Sequence, residues 1–345
     1  MNNFICPICF QGLSSGTCPR CLRSFPTKND ISDFRTKSII EYSDTPILEK
    51  IVRESKQENW LNVVQKYTLD QPWLNHIITS QNRADFLYLL NLEDKICLDI
   101  GCGWGQITEP LSAMCAKVYA TDANPTKVDF VKTRCDQAGY KNNEYFISQT
   151  TSLPLGNSTI DVVFLIGVLE WIPDGFQNED PRKIQLQALQ EVKRILKPDG
   201  RLIIGIENSH GLKYFAGAPD DHTGIPHISY QDRLTANNMI QQKHHRDYRT
   251  YTYNINGYQT LLSESGFNMQ DTKFIYPIKS YKDNQALVEI DHLENLTYLY
   301  ENILPIGIFN EYEKKAVEQE LEYLKENNIQ ELAEKVSSYF IIATK

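Results

Sequence analysis

Apolar and polar positions follow two different periods along this chain, and the change of period predicts its elements. Between Pro46 and Tyr67, and again between Pro72 and Leu90, apolar residues recur at helical spacing, with proline at each start. From Ile96 onward, short apolar runs alternate with helical patterns. The predicted strands are 96–100, 117–121, 145–148, 162–166 and 201–206, and the predicted helices are 107–115, 125–138 and 181–196. This alternation predicts an α/β protein with a parallel sheet covered on both faces.

The regular alternation ends after Glu207. A turn is expected at 197–200, and about forty irregular residues follow the last strand of the regular pattern. A helix near 255–265, a strand near 267–276 and a final β-like run at 338–344 are predicted beyond them. The predicted organisation is a Cys-rich module in residues 1–34, a linker and helices in 35–94, and one α/β domain in 95–345 with insertions at about 208–253 and 280–335.

The strongest chemical signal follows the first strand of the α/β domain. Leu98–Gly105 reads L-D-I-G-C-G-W-G, a buried strand that runs into a glycine-rich turn and opens a helix. Glycine lets the backbone pass close to a ligand in conformations closed to other residues. About twenty residues later the second strand ends in Asp122, where a carboxylate can bind both hydroxyls of a ribose. The pattern predicts a nucleoside site at the carboxyl ends of the strands.

Residues 95–207 resemble the class I S-adenosylmethionine (SAM)-dependent methyltransferases. Besides the glycine turn and Asp122, Gln149–Leu155 lies where that family often reads D-A-x-x-L-P-F. Asp161–Pro173 resembles its fourth-strand motif, and Glu191–Gly200 resembles the helix and turn before its fifth strand. A dinucleotide-binding dehydrogenase fits less well, because the third glycine of its G-x-G-x-x-G pattern is missing.

The resemblance implies a Rossmann-like, seven-stranded class I methyltransferase sheet with helical insertions, and SAM as cofactor. The glycines would pass under the methionine and ribose of SAM, and Gln149 and Thr150 would border adenine. Gln149 replaces the family's usual aspartate, but its side-chain oxygen can accept the same hydrogen bond. Trp171 stands where the family often has histidine. The residues expected to bind SAM are Asp99, Gly101, Gly103, Gly105, Asp122, Ala123, Gln149, Thr150 and Ile166.

Four of the eight cysteines are clustered at the start of the chain. Cys6-Pro7-Ile8-Cys9 and Cys18-Pro19-Arg20-Cys21 form two C-x₂-C knuckles separated by eight residues. Four thiolates in two tight pairs can enclose one tetrahedral Zn²⁺. A redox dithiol is the alternative, but it normally accompanies a βαβ pattern, and none is near. The module resembles zinc ribbons that precede some bacterial methyltransferase domains, including ribosomal-RNA guanine methyltransferases. Its expected role is structural.

Composition and charge limit which partners and which cellular location are expected. The formal net charge is −9, so the surface does not attract phosphate backbones over long range, and a nucleic-acid partner is not expected. No apolar run reaches the roughly 20 residues that cross a bilayer, and the N-terminus lacks the pattern of a signal peptide. The expected location is the cytoplasm, without membrane attachment.

The irregular segment after Glu207 supplies the candidate acceptor residues. Gly211–Gly224 resembles a stretch in bacterial methyltransferases linked to glycan or small-molecule biosynthesis. His222 and Asp221 are the candidate catalytic residues, as a general base for a hydroxyl or amine acceptor; a polar turn cluster is the alternative. The tyrosines and Phe215 of the segment fit a sugar-stacking lid and a core equally well. A basic stretch with His244 and Arg249 is expected to face solvent or substrate.

The sequence therefore predicts SAM-dependent methyl transfer to a small polar acceptor, such as a hydroxyl of a sugar, a glycan precursor or a related metabolite. The alternative is an RNA base methyltransferase that uses the zinc knuckle to recognise RNA. A degenerate, non-catalytic module is a third reading, disfavoured by the intact glycine turn and Asp122. The oligomeric state is not predicted.

Overall fold

The computed structural model describes residues 4–36, 46–302 and 309–345. The chain forms two compact units. The first contains the described residues up to Leu165, together with Gln187–Leu202 and Lys345, and the second contains Ile166–Leu186 and the described part of Ile203–Thr344.

The elements alternate much as the sequence predicts. The strands are β1 (Thr27–Lys28), β2 (Ile31–Asp33), β3 (Ile96–Ile100), β4 (Lys117–Asp122), β5 (Asn143–Ile147), β6 (Ile160–Ile166), β7 (Leu196–Glu207), β8 (Asn268–Pro277), β9 (Leu287–Glu289) and β10 (Ser338–Thr344). The α-helices are α1 (Pro46–Ser55), α2 (Trp60–Thr68), α3 (Pro72–Thr79), α4 (Thr108–Met114), α5 (Pro125–Gln137), α6 (Pro181–Ile195), α7 (Leu212–Phe215), α8 (Arg233–His244), α9 (Ile255–Glu264), α10 (Leu296–Asn302), α11 (Glu311–Lys325) and α12 (Ile329–Lys335). Short 3₁₀ helices occupy Asn82–Leu89, Ile172–Gly175 and Ile290–Asn295.

The sheet of the first unit runs in the order β1-β2-β5-β4-β3-β6. All its neighbouring strands are parallel except the β1–β2 hairpin. β3 and β4 are almost completely buried, which is why their sequences are continuous apolar runs rather than alternating ones. The register sets Ile100 beside Thr121 and Asp122 beside Ile147, so the carboxyl ends of β3, β4 and β5 meet at one edge.

The N-terminal module is part of this sheet. β2 pairs in parallel with β5, with Ser32 opposite Phe146. The ring of Phe4 packs edge-on against Phe34 and Phe146, at centroid distances of 5.1 and 5.2 Å. The Cys-rich segment predicted as residues 1–34 thus shares the core of the first unit. Residues 37–45 of the predicted linker lie outside the described residues.

Two local predictions differ from the structure. One helix is predicted over 72–90, but the chain leaves the helical region at Ser80, whose ψ is 135°, and resumes as a 3₁₀ helix. A turn is predicted at 197–200, whereas β7 already begins at Leu196. The amide of Lys345 donates to the carbonyl of Gly200 at 3.1 Å, which gives that stretch a pairing partner from the other end of the chain.

In the second unit, β10 pairs antiparallel with β8, and β8 pairs antiparallel with β9. The stretch 208–253 contains α7 and α8 joined by irregular chain. The stretch 280–335 contains β9 and three α-helices among its described residues, and residues 303–308 of it lie outside them. None of the helices in the described ranges has the length and apolar character needed to cross a membrane.

Candidate cofactor site and acceptor-side cluster

The glycine turn between β3 and α4 has the backbone conformation for which glycine is needed. Gly101, Gly103 and Gly105 all have positive φ angles, of 70°, 49° and 80°. A Cβ on Gly105 would lie 3.2 Å from the Cδ atom of Arg134 and 3.4 Å from Val131. A side chain at this position would therefore be both strained and crowded.

Two aspartates frame the turn. The Asp122 carboxylate accepts hydrogen bonds from the backbone amides of Gly103 at 3.1 Å and Asn124 at 2.9 Å. Each oxygen keeps a free acceptor direction, which suits a ribose diol. Asp99 is buried and accepts a hydrogen bond from the Thr108 hydroxyl at 2.5 Å. Burial raises the pKa of Asp99 to about 7.

Gln149 follows β5 and presents the acceptor oxygen expected for a contact with the adenine amino group. Its Nε2 atom donates to the Thr36 hydroxyl at 2.6 Å, which fixes the amide. Its Oε1 atom is buried and has no hydrogen-bond partner among the described residues. A buried amide oxygen without a donor indicates a missing partner. Thr150 beside it is also buried, and the carbonyl of Ala123 accepts a hydrogen bond from Arg35 Nη1 at 3.2 Å.

The structure thus gathers eight of the nine predicted SAM-binding residues in the first unit, at the joint edge of β3, β4 and β5. These eight are Asp99, Gly101, Gly103, Gly105, Asp122, Ala123, Gln149 and Thr150. The ninth, Ile166, is the last residue of β6 and falls in the second unit, so its role stays a prediction. The residues present fit a nucleoside with a free 6-amino group, as SAM has.

Arg134 supports the glycine turn and was not predicted. Its side chain on α5 is 1% exposed, and its guanidinium donates to the carbonyls of Trp104 and Ile78 and to the Glu109 carboxylate. It also lies 4.2 Å from the ring centre of Trp60. The pattern could not reveal it, because an arginine on a helix ordinarily lies at the surface.

The four N-terminal cysteines form two matching turns. In each, the amide four residues after the first cysteine donates to that cysteine's carbonyl, from Phe10 to Cys6 and from Leu22 to Cys18. Phe10 and Leu22 share a left-handed φ of 58° and 59°. The four sulfurs lie within 4.8 Å of one another, near the separation of about 3.8 Å that tetrahedral Zn–S bonds would give. The four thiols therefore fit a zinc ion.

The second unit contains a buried acid–base cluster around His222. Nε2 of His222 lies 3.4 Å from Glu170 Oε1 and 3.6 Å from Glu207 Oε2. Glu170 comes four residues after β6, and Glu207 is the last residue of β7. Asp220 holds the turn before His222 by accepting from the amides of His222 and Thr223, at 3.0 and 2.8 Å.

Two lysines complete this cluster. Lys213 on α7 pairs with Asp221 at 3.0 Å, and Lys282 pairs with both Asp221 and Glu207. Burial would raise the pKa of Asp221, but the two ammonium groups hold it well below its ordinary value. Asp221 and His222 are adjacent in sequence, and the turn at 220–224 lets both reach the same cluster.

The charge state of His222 differs from the sequence interpretation, which assumed an ordinary pKa. Burial alone would lower its pKa, but Asp220, Glu170 and Glu207 outweigh that effect and raise it to about 10. The imidazole is therefore protonated near neutral pH. It can accept a proton only after it has lost this one.

Glu170, Glu207 and Lys282 were not singled out from the sequence. The two glutamates carry a usable signal, since each stands at or just after the carboxyl end of a predicted strand, where ligands of α/β sheets bind. Lys282 carries none, because it lies 75 residues beyond Glu207 in an irregular stretch.

The aromatic and basic residues of the insertion divide between two roles. Tyr214 and Tyr248 are buried in the core, whereas Phe215 is 41% exposed and stacks on Tyr230 at 4.4 Å. The expectation that Arg249 faces solvent or substrate is wrong. It is buried and donates to the carbonyls of Pro173, Phe176, Gln177 and Glu179, which fixes the loop after β6.

Comparisons with known proteins match a methyltransferase domain to this part of the chain. Residues 98–204 match the family model described as a methyltransferase domain. Over 151 residues the chain is 26% identical to a sterol 4-C-methyltransferase of Caenorhabditis elegans, and over 136 residues it is 27% identical to a ubiquinone biosynthesis O-methyltransferase of Cereibacter sphaeroides. Each alignment covers 39% of this chain, and they cover 42% and 51% of the relatives. The chain thus spans about half the length of the curated relatives it matches.

Among solved structures, a SAM-dependent methyltransferase from Aquifex aeolicus is similar, with 20% identity and a TM-score of 0.38 over 60% of this chain and 88% of that one. The glycine turn, the parallel strand order and the matched domain model confirm the predicted α/β, Rossmann-like methyltransferase fold. The matched residues 98–204 run from β3 into β7 and contain the glycine turn and Asp122.

Proposed function

We propose that this chain transfers a methyl group from SAM to a hydroxyl of a small polar acceptor, such as a sugar, a glycan precursor or a related metabolite. The main support for the cofactor part of the proposal is the Oε1 atom of Gln149, which is buried and has no hydrogen-bond partner among the described residues. This atom can accept a hydrogen bond from an N–H group of a bound nucleoside. Bound SAM supplies an already activated methyl group on its sulfonium. The chain then mainly has to position the acceptor and take up its proton.

The cluster of Asp221, His222, Glu170 and Glu207 supports the acceptor part. Together with Lys213 and Lys282 it offers ammonium donors and carboxylate acceptors in a buried setting, which is how proteins fix small polar molecules. We keep Asp221 and His222 as the candidate catalytic residues that position the acceptor hydroxyl, and His222 would receive its proton only when the imidazole is neutral. The relatives named for sterol and ubiquinone-precursor methylation also act on small molecules.

We further propose that Cys6, Cys9, Cys18 and Cys21 bind one structural zinc ion and that the protein works in the cytoplasm. The convergence of the four sulfurs supports the zinc site. All eight cysteines are free of disulfides in the structure, which accords with a reducing compartment.

Cofactor binding is tested by Asp122→Ala. The change removes the charged acceptor for the ribose hydroxyls and leaves the Gly103 amide without its partner, so SAM should bind more weakly by roughly 2–4 kcal/mol in calorimetry. Glu320→Gln, another carboxylate change outside this site, is the control and should bind SAM normally. Unchanged affinity in Asp122→Ala would remove this residue from the cofactor site.

The acceptor is tested by assaying methyl transfer to a panel of glycosides and other polyols at saturating SAM. We expect turnover on at least one hydroxyl compound, and a loss of at least about 100-fold in His222→Ala and Asp221→Asn at unchanged SAM affinity. Methylation confined to RNA fragments would instead favour the RNA base methyltransferase. Normal turnover in both variants would exclude these two residues from the reaction.

A further inference from the structure

Three side chains of the second unit have the spacing of metal ligands. The candidate ligand atoms of Glu170, Glu207 and His222 all lie within 4.8 Å of one another. The Nε2 atom of His222 is 3.4 Å from Glu170 Oε1 and 3.6 Å from Glu207 Oε2. Donors that each lie about 2.1 Å from one metal ion are about 3.0–3.5 Å apart, so small shifts would close this set around a cation.

The three side chains satisfy one another's hydrogen-bonding capacity poorly. Their side chains are at most 2% exposed, so water does not compensate them. Oε2 of Glu170 is buried and has no hydrogen-bond partner among the described residues. The contacts to His222 exceed the roughly 2.7–2.9 Å of a charge-assisted hydrogen bond. Fully buried carboxylate oxygens without partners are rare and point to a guest between them.

The charge of the cluster favours a divalent guest. Among the described residues, the four carboxyl groups of Glu170, Glu207, Asp220 and Asp221 lie with the two ammonium groups of Lys213 and Lys282. Two formal negative charges remain in excess over these ammonium groups. A divalent cation would balance both and leave the imidazole neutral, as a ligand must be.

The neighbours of the three groups resemble the outer ligand shell of a metal site. Asp220 Oδ1 lies 3.8 Å from His222 Nδ1, on the side of the ring where metal-bound histidines commonly meet a carboxylate. Lys282 pairs with Glu207 Oε1, which leaves Oε2 directed at His222. Glu207 Oε2 and His222 Nε2 thus lie on the side of each group that faces the centre of the site.

We propose that Glu170, Glu207 and His222 bind a divalent cation of the Mn²⁺ type. Two carboxylate oxygens and one imidazole suit such an ion, and three ligands leave coordination positions open for water or for acceptor oxygens. The proposal rests on the acceptor site of the proposed function and revises it in one respect, because His222 becomes a ligand instead of a base. It is tested without acceptor or SAM, so that the two proposals can fail separately.

The test is a titration of the zinc-replete protein with Mn²⁺, followed by electron paramagnetic resonance and calorimetry. We expect one Mn²⁺ per chain, bound at least about 100-fold more weakly by Glu170→Gln and by Glu207→Gln. Glu320→Gln removes another buried carboxylate of the same unit and should bind Mn²⁺ like the unmodified protein. Absence of saturable Mn²⁺ binding, or equal binding by Glu170→Gln, would overturn the site.

A second measurement avoids dependence on variants that fail to fold. Mn²⁺ bound to the unmodified protein should show the electron spin-echo modulation of a directly bound ¹⁴N nucleus, because one ligand is an imidazole. The modulation should vanish in His222→Gln. Bound Mn²⁺ without nitrogen modulation in the unmodified protein would rule out this ligand set.

Discussion

Glu320 shows at the scale of one residue how burial makes stability depend on pH. Its side chain on α11 is 1% exposed and accepts hydrogen bonds from Tyr276 at 3.0 Å and from Tyr300. Among the described residues no cation pairs with it, and burial raises its pKa from 4.5 to about 7. The folded state therefore prefers the protonated acid, whereas the unfolded chain ionises it at lower pH.

The sign of the pH effect follows from this preference. The contribution of Glu320 to the free energy of unfolding is complete below pH 4.5, is lost as the pH rises towards 7, and stays lost above it. The increase of its pKa from 4.5 to about 7 corresponds to roughly 3 kcal/mol. Glu320→Gln should unfold at a higher urea concentration than the unmodified protein at pH 8, with a smaller difference at pH about 5. Parallel pH profiles for the two proteins would contradict the assignment.

At the scale of elements, the hairpin β1–β2 and the segment after it connect the zinc knuckle to the cofactor site. Phe34 donates its amide to the carbonyl of Ile147 at 2.8 Å, next to the end of β5. Arg35 then donates a hydrogen bond to the carbonyl of Ala123, and the Thr36 hydroxyl accepts one from Gln149. Loss of order in the module would therefore loosen two residues expected at ribose and adenine.

We predict that removal of zinc weakens SAM binding by about 10-fold, since the ion would cross-link the two cysteine turns that precede this segment. Calorimetry on zinc-replete and chelator-treated protein measures the effect. Thr36→Val should give a smaller loss with zinc in place, because only the Gln149 contact is removed. The same calorimetry on Glu170→Gln, with and without zinc, separates the effect of zinc at the four cysteines from any effect of a cation at the cluster around His222. Equal SAM affinity with and without zinc would show that the module acts independently.

Elements with a clear period were predictable. β3 and β10 match their predicted bounds, and α6 ends one residue early. The helix predicted over 72–90 is interrupted because Ser80 takes an extended conformation, which apolar spacing does not encode. β2 was not predicted, since three residues show no period and its pairing with β5 spans more than a hundred residues of sequence.

At the scale of the molecule, the cofactor site was more predictable than the acceptor side. The glycine turn, Asp122 and Gln149 each adjoin a strand end, so a local pattern reveals them. The cluster around His222 combines Glu170, Glu207, Lys213 and Lys282 from four separate segments. Only the folded chain brings these together, and the same holds for Arg134 and the carbonyls it binds.

Net charge is a property of the whole molecule, and it favours a small polar acceptor over RNA. The chain carries −9, and the basic residues of the zinc module are few: Arg20, Arg23 and Lys28 are its exposed cations in the described range. Each phosphate that a protein neutralises contributes about one to the salt dependence of binding, so three cations support weak association at most. An RNA-reading surface needs a longer basic stripe.

We therefore predict no saturable binding of a structured RNA at about 50 mM salt, measured by fluorescence anisotropy. Arg20→Glu combined with Arg23→Glu should leave methyl transfer to a small acceptor unchanged, because neither residue contributes to the predicted SAM site or to the cluster around His222. The opposite result would be RNA binding that weakens steeply with salt and disappears in this double variant. That outcome would make the zinc module an RNA-recognition element and would displace the small-acceptor proposal, since local charge would then have outweighed the net charge of the chain.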